Sequence, residues 1–324
     1  MTVTTEQAHE TIARLRKEVS RVVVGQDAIL NRLVIAILIR GHVLVEGLPG
    51  LAKTLLVKTL ASAIDASFKR IQFTPDLLPA DITGTQIFNP EGRTFNARLG
   101  PIFANFVLAD EINRAPAKVQ SALLEAMQER QVTIGDTTHK LPDPFVVIAT
   151  QNPIEHEGTY ALPEAQVDRF VMKLRVSYPT HDEELRMLAR YVNPTAESIA
   201  VQRVLTLDEI RDVAQLASRV HMDEKIGRYI VAIVNATRRP ADVRLGAASK
   251  HVTYGASPRA TLALAHVAKA NAFIEGRDFV VPEDVKAVAH DVLRHRLVMS
   301  YEAAAENVGA DFVIDQILGA VPVP

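Results

Sequence analysis

The sequence predicts an α/β fold in which helices wrap a five-stranded parallel sheet, followed by a small all-helical domain. Short apolar runs alternate with helical stretches in the first half, and several runs are apolar almost throughout, as in strands covered on both faces. After about residue 179 only helical patterns follow. The candidate strands are Val43–Glu46, Arg70–Phe73, Asn105–Asp110, Phe145–Thr150 and Val171–Leu174. We therefore expect a sheet domain over residues 1–178 and a helical domain over residues 179–324.

The length of the chain agrees with two domains, and its composition excludes several classes of protein. The chain has 324 residues and a net charge of −2, which gives no global attraction to nucleic acid or anionic membrane. The absence of cysteine excludes disulfides and thiolate metal sites and fits a reducing compartment. Residues 1–10 lack the apolar core of a signal peptide, and the apolar stretch Leu33–Ile39 is too short to span a bilayer. We expect a soluble cytoplasmic protein without membrane insertion.

Two interruptions of the alternating pattern predict β-hairpins inserted into the sheet domain. In Thr85–Asn96 the tetrapeptide 89–92, Asn-Pro-Glu-Gly, has the residues that a type I turn favours. In Val132–Leu141 alternating apolar residues lead into the turn signal Gly135-Asp136. Neither hairpin is needed to complete a core. Each can therefore be interpreted either as a functional loop or as a surface decoration.

Helices are predicted from apolar spacing and from their starting residues. Apolar residues recur at helical spacing from Ala117 to Glu129. In the helical domain, 180–183 and 206–209 both read Thr-x-x-Glu, which fits a capping box. Ser257-Pro258 and Val281-Pro282 place proline at a first helical position.

A phosphate-binding loop is predicted where the first strand meets the next helix. Its glycines would let backbone amides close around phosphates while the helix N-terminus adds a favourable field. Lys53 would reach the β- and γ-phosphates, and the Thr54 hydroxyl would take a Mg²⁺ coordination position. Ala52 stands where a second glycine is expected, and we expect it in the right-handed region without strain. An ordinary turn with a solvated lysine is the alternative. The loop residues are Gly47, Leu48, Pro49, Gly50, Leu51, Ala52, Lys53 and Thr54.

An acidic pair ends the apolar run 102–109. Carboxylates at the carboxyl end of a parallel strand lie where ligands bind in such folds, and burying them without a cation is costly. We expect Asp110 to hold Mg²⁺ and Glu111 to polarise the attacking water. An exposed acidic turn is the alternative, and the phosphate-binding loop earlier in the chain argues against it.

Four polar residues complete the candidate site. Asn152 follows an apolar strand and would orient the lytic water or contact the γ-phosphate, although an asparagine here is also typical of a turn. Arg169 precedes the fifth strand and suits an arginine finger for a neighbour's nucleotide. Arg259, inside a helix start, would swing over the phosphates, while Arg114 is a candidate without a defined role. Taken singly, such arginines are more often surface ion pairs.

Together these segments resemble the AAA+ superfamily and, within it, the MoxR family, from about Val22 to Leu297. Alanine at the later loop glycine is typical of that family, whereas Ala161 departs from its usual proline. The most specific pieces are Val24-Gly25-Gln26, the loop 47–54, Asp110–Ala115, Ala149–Pro153, Asp168-Arg169-Phe170 and Ser257-Pro258-Arg259.

The resemblance implies a role for each motif. It assigns residues 47–54 to Walker A and Asp110 and Glu111 to Walker B. It makes Asn152 sensor 1, Arg169 the arginine finger and Arg259 sensor 2, and it places Val24 and Gly25 beside the adenine. The hairpins look like the helix-2 insert and the hairpin before sensor 1. Similar proteins are chaperone-like ATPases that use ATP and Mg²⁺ and form hexameric rings. They mature enzyme complexes or aid metal cofactor insertion, often with partners bearing a von Willebrand factor A-type domain.

Two other functions remain in comparison. A DNA-acting motor would line its pore with basic or aromatic residues from the hairpins. The hairpins offer only Phe88, Arg93, Phe95, His139 and Lys140, so nucleic acid is the weaker partner. A scaffold that binds ATP with little turnover would not need Glu111 and Arg169.

Overall fold

The computed structural model describes residues 4–48, 50–152, 159–192, 200–240 and 250–324. They fall into two compact units: the first comprises Met1–Leu162 and Leu174–Asp212, and the second comprises Pro163–Lys173 and Val213–Pro324. The segment that carries Arg169 therefore belongs to the second unit. The domain boundary after residue 178 stays a prediction.

Helices and strands alternate through the first unit, and helices dominate the second. The helices are α1 (Thr5–Val22), α2 (Asp27–Leu38), α3 (Lys53–Ala63), α4 (Pro79–Thr83), α5 (Ala117–Glu129), α6 (Glu164–Val167), α7 (His181–Tyr191), α8 (Leu207–Ser218), α9 (Glu224–Arg238), α10 (Pro258–Ile274), α11 (Pro282–Leu293), α12 (Tyr301–Ala305) and α13 (Ala310–Ala320), with a 3-10 turn at Ile112–Arg114. The strands are β1 (Val43–Gly47), β2 (Phe68–Gln72), β3 (Gly84–Asn89), β4 (Thr94–Leu99), β5 (Phe106–Asp110), β6 (Gln131–Ile134), β7 (Thr137–Lys140), β8 (Val146–Gln151), β9 (Met172–Val176), β10 (Val252–Tyr254) and β11 (Val298–Met299).

The predicted five-stranded sheet is confirmed, with strand ends shifted by one or two residues. Its order is β2-β5-β8-β1-β9, and β5 and β8 are buried almost throughout because neighbouring strands and helices cover them. Parallel pairing places Val45 beside Thr150 and Ala109 beside Ala149. The carboxyl ends of β1, β5 and β8 therefore meet at one edge of the sheet, where ligands bind in parallel α/β folds.

Both predicted hairpins are present as antiparallel pairs. Strand β3 pairs with β4 from Gly84 opposite Leu99 to Asn89 opposite Thr94, and β6 pairs with β7. The first hairpin exposes Phe88 and Phe95, whose ring centroids lie 5.2 Å apart across the strands. Because its apolar side chains remain in solvent, this hairpin adds little to the core.

The predicted helix starts are also present. Thr180 caps α7 in a capping box, and Ser257 caps α10 with Pro258 in the first turn. The second unit adds one feature that helical periodicity did not predict, the antiparallel pair β10–β11, whose strands are too short to show alternation. No helix in the described ranges is long and apolar enough to cross a membrane.

A buried histidine ties the start of the first strand to its neighbours. The His42 Nδ1 atom accepts a hydrogen bond from the Val147 amide at 3.0 Å, and its Nε2 atom lies 3.2 Å from the Met127 carbonyl oxygen. Burial lowers the pKa of His42 to about 4. The ring is therefore neutral, accepting at Nδ1 and donating at Nε2, and joins β1 to β8 and to the end of α5.

Candidate functional site

A cavity of about 440 Å³ opens at the sheet edge where β1, β5 and β8 end. The described residues that line it all belong to the first unit. They are Gly47, Gly50, Leu51, Ala52, Lys53, Thr54, Leu55, Arg70, Asp110, Glu111, Thr150 and Asn152. The structure thus brings together the predicted Walker A, Walker B and sensor 1 residues, which lie up to about a hundred positions apart in the chain. Pro49 lies outside the described residues, and Leu48 is not in the lining.

Lys53 is the first residue of α3 and points its ammonium group back across the loop. Its Nζ atom donates to the Gly47 carbonyl oxygen at 2.7 Å. Burial lowers the pKa of Lys53, while the nearby carboxylates of Asp110 and Glu111 act in the opposite direction. A partly desolvated cation beside two carboxylates is electrostatically suited to an anionic phosphate.

The expectation for Ala52 was wrong. Ala52 has φ 55° and ψ 18°, in the left-handed region, instead of the right-handed conformation. Left-handed geometry costs an L-residue with a Cβ about 1–2 kcal/mol. Gly50 also has a positive φ, of 86°. Left-handed residues in such loops turn successive amides toward one concavity, which is a common anion-binding arrangement. The loop therefore keeps a strained alanine at the entrance of α3.

Asp110 ends β5 with both carboxylate oxygens engaged. Its Oδ2 atom accepts from Arg70 Nη2 at 2.6 Å and from Arg70 Nε at 3.0 Å. Its Oδ1 atom accepts from the Thr150 hydroxyl at 2.6 Å. That hydroxyl in turn accepts from the Glu111 amide at 2.9 Å. Thr150 therefore joins the end of β8 to both acidic residues.

Glu111 makes the turn after β5 in a left-handed conformation, with φ 57° and ψ 49°. Its Oε2 atom accepts from Gln72 Nε2 at 2.7 Å and from Arg114 Nη1 at 3.1 Å. Strained backbone of this kind persists where the surrounding contacts impose it, often at functional sites. Arg114, which had no defined role in the sequence, is thus a partner of the Glu111 carboxylate.

Three residues of this site were missed by sequence reasoning: Arg70, Gln72 and Thr150. Arg70 and Gln72 alternate with apolar residues on β2, and Gln72 lies opposite Asp110 in the register. The signal was two polar side chains on a strand adjacent to the acidic one. Sequence reasoning could not use this signal, because the sequence alone does not show that β2 lies beside β5 in the sheet.

The other predicted site residues lie elsewhere. Val24 and Gly25 follow α1 in the first unit and do not line the cavity; Gly25 has φ 75°, and an added Cβ would come within 3.0 Å of the Glu183 carboxyl carbon. Arg169 lies just before β9, and Arg259 lies in the first turn of α10; both belong to the second unit.

The donors around the cavity fit a magnesium nucleotide. Mg²⁺ is usually held by one or two carboxylates together with waters and substrate phosphates, so a cage of protein ligands is not required. Among the described residues no group of three or more His, Asp or Glu side chains has metal-binding geometry. The Asp110 carboxylate and the Thr54 hydroxyl on the lining supply the hard oxygens that this mode needs.

Comparison with known proteins gives concordant matches. A family model described as "ATPase family associated with various cellular activities (AAA)" matches residues 42–172, and an AAA lid domain model matches residues 245–317. The chain is 47% identical to "Chaperone MoxR1" of Mycobacterium tuberculosis over 315 residues, which cover 97% of this chain and 82% of that protein.

Two further relatives extend the match. "Protein MoxR" of Methylorubrum extorquens is 32% identical over 331 residues, covering 97% of this chain and 96% of that protein. A crystal structure from Cytophaga hutchinsonii, described as a candidate ATPase, superposes with a TM-score of 0.93 at 49% identity. The superposition covers 99% of this chain and 97% of that one.

Proposed function

The chain belongs to the MoxR family of AAA+ ATPases, and we propose that it hydrolyses MgATP in the cavity described above to remodel or mature protein complexes. One observation supports the proposal most directly: Lys53, Asp110, Glu111 and Asn152 line a single cavity at the carboxyl ends of three parallel strands. Membership of the family implies nucleotide binding, and the role of each individual residue is part of our proposal.

Binding begins with the loop between β1 and α3. The amides of this loop and the N-terminus of α3 would receive the phosphates, and the Lys53 ammonium would exchange the Gly47 carbonyl for a phosphate oxygen. When bound, Mg²⁺ would neutralise charge on the phosphate oxygens, with Asp110 and Thr54 as its protein partners. Asp110 would then exchange its contact with Arg70, which is solvent-accessible, for the metal shell.

Hydrolysis requires a water aligned with the γ-phosphorus. The Glu111 carboxylate would accept its proton as the new P–O bond forms and the bond to the β–γ bridging oxygen breaks, leaving ADP. Gln72 and Arg114 both donate to Oε2 of this carboxylate and thereby fix its orientation. Asn152 would orient the same water or contact the γ-phosphate. Because positioning and charge dominate phosphoryl transfer, this fixed geometry is the chain's main contribution.

In the proposed mechanism, a neighbouring copy of the chain completes the nucleotide site. Arg169 would act as an arginine finger on the nucleotide of the next protomer in a homo-oligomeric, hexameric ring, a contribution of about 10³–10⁵ in rate. Arg259 would act as sensor 2, and Val24 and Gly25 would contact the adenine. A cytoplasmic location, a role in metal cofactor insertion and a partner with a von Willebrand factor A-type domain are further parts of this proposal.

A Glu111→Gln variant tests the assignment. We expect it to bind MgATP normally and to hydrolyse it roughly tenfold more slowly or worse, because the amide cannot accept the proton. Affinity capture with this variant and ATP should retain client proteins longer than the wild type does. Wild-type turnover by the variant would refute the role of Glu111, and DNA-stimulated turnover of the wild type would favour a DNA-acting motor.

A further inference from the structure

The chain on both sides of Arg169 is fixed by one buried guanidinium group. The Arg296 side chain is 2% exposed, and its Nε atom donates to Asp168 Oδ1 at 2.7 Å. Its Nη2 atom donates to the Phe170 carbonyl oxygen at 2.7 Å, and its Nη1 atom donates to that of Val171 at 3.1 Å. Arginine offers five N–H donors in one rigid plane. Here they hold the residues immediately before and after Arg169.

Two further contacts reinforce the same segment. The His295 Nε2 atom lies 3.0 Å from the Phe170 carbonyl oxygen, and the Phe170 side chain is fully buried. The Ser257 hydroxyl, at the start of α10, donates to Asp168 Oδ2 at 2.9 Å. All these residues belong to the second unit, so the segment is part of that unit's packing.

Arg169 itself differs from its neighbours. Its side chain is half-buried, and within the described part of the chain no hydrogen bond or ion pair engages it. The backbone is thus held tightly on each side of a guanidinium group that has no partner of its own there. Such an arrangement lowers the entropic cost of placing the side chain on an external anion, and misplacement by about 1 Å can cost about 10²-fold in rate.

We propose that Arg296, acting through Asp168 and the Phe170 carbonyl, is the positioning residue for the Arg169 finger. This inference rests on the proposed function, in which Arg169 completes the nucleotide site of a neighbouring copy. The Asp168–Arg296 pair matters chiefly in the protomer that presents the finger. In the protomer whose nucleotide is hydrolysed, Asp168 acts only through Arg259, the proposed sensor 2, whose Nη1 atom lies 3.9 Å from Asp168 Oδ2.

Mixed rings test this direction. A Lys53→Ala protomer lacks a nucleotide site but presents a finger, whereas an Arg169→Ala protomer has the site but lacks the finger. Each alone should be inactive, and the mixture should recover activity. Adding Asp168→Asn to the Lys53→Ala protomer should lower the recovered kcat about tenfold or more with KM unchanged. Adding it to the Arg169→Ala protomer should lower the recovered activity far less, because there it loosens only Arg259.

A matched control separates positioning from general stability. Asp284 is 1% exposed and pairs with Arg277 at 2.6 Å in the same unit, so Asp284→Asn removes the charge of another buried pair. Its effect should be equal whichever protomer carries it. Arg296→Lys, which keeps the charge but cannot reach three acceptors, should repeat the Asp168→Asn pattern.

The outcomes are distinguishable. Equal losses from Asp168→Asn in either protomer, or no loss in either, would overturn the positioning role while leaving the shared site intact. No recovery in the parent mixture, with both proteins folded by circular dichroism and co-eluting as rings, would overturn the shared site and this inference with it.

Discussion

Asp110 in the first unit and Asp168 in the second are alike in exposure and differ in their arginine partners. The two carboxylate side chains are 16% and 17% exposed. Arg70, which pairs with Asp110, is 47% exposed, whereas Arg296, which pairs with Asp168, is 2% exposed. Under the proposed function, the arginine that would yield to an incoming ligand is accessible, while the one that fixes the backbone is buried and has several acceptors.

The two arginine pairs are expected to differ most in how much they contribute to stability. Arg296→Met should lower the free energy of unfolding by about 3–5 kcal/mol, because Asp168 Oδ1 and the Val171 carbonyl oxygen lose their buried charged donor. Arg70→Met should change it by less than about 1 kcal/mol, since Arg70 is solvent-accessible and Asp110 keeps its hydrogen bond from the Thr150 hydroxyl. Urea unfolding midpoints measure both. Equal shifts for the two variants would contradict the difference assigned to the two pairs.

The buried histidine of the first unit predicts an acid-sensitive sheet. His42 is held neutral with a pKa of about 4, whereas in the unfolded chain it titrates near 6.5. The unfolded state therefore binds more protons between these values, so stability falls as pH drops from about 6.5 to about 4 and no further below that. At pH 5 the loss is about 2 kcal/mol.

Melting curves at pH 7 and pH 5 check the histidine prediction. A His42→Asn variant, which cannot titrate, should be less stable at pH 7 but should lose less stability between the two values. An identical pH dependence in both proteins would show that His42 is not responsible.

The smallest effect concerns the strained loop. Ala52→Gly should stabilise the fold by up to about 1 kcal/mol, because relief of left-handed strain is partly offset by the greater freedom of glycine in the unfolded chain. The control is Ala61→Gly in the last turn of α3, which removes a buried methyl group as well as helix propensity and should destabilise by about 1–2 kcal/mol. Thermal unfolding of both variants measures the sign. Destabilisation by Ala52→Gly would contradict the strain assigned to Ala52.

Sequence reasoning located the parts of the site that are local in the chain. The phosphate-binding loop, Asp110-Glu111 and Asn152 each follow an apolar strand, and the parallel fold alone brings such strand ends together. It also placed both hairpins and the capped helices from turn and capping residues. These features depend on neighbours a few positions apart, so periodicity and turn chemistry suffice.

What sequence reasoning missed depends on distant contacts or on backbone geometry. Thr150 meets Asp110 forty positions away, and Arg296 meets Asp168 across 128 positions. Neither pairing leaves a local pattern. The left-handed conformation of Ala52 was missed because alanine is ordinarily disfavoured there, and the shape of the loop, not the residue's own preference, decides the outcome.

The most direct test of the account is nucleotide binding and turnover by Lys53→Ala, with Lys58→Ala on the exposed face of α3 as the matched control. Titration calorimetry with MgATP and a phosphate-release assay measure the two quantities. We predict that Lys53→Ala weakens binding by about tenfold or more and abolishes turnover, because a charged hydrogen bond is worth about 1.5–3 kcal/mol, while Lys58→Ala matches the wild type. Unchanged affinity and turnover in Lys53→Ala would contradict the placement of the phosphates in this cavity.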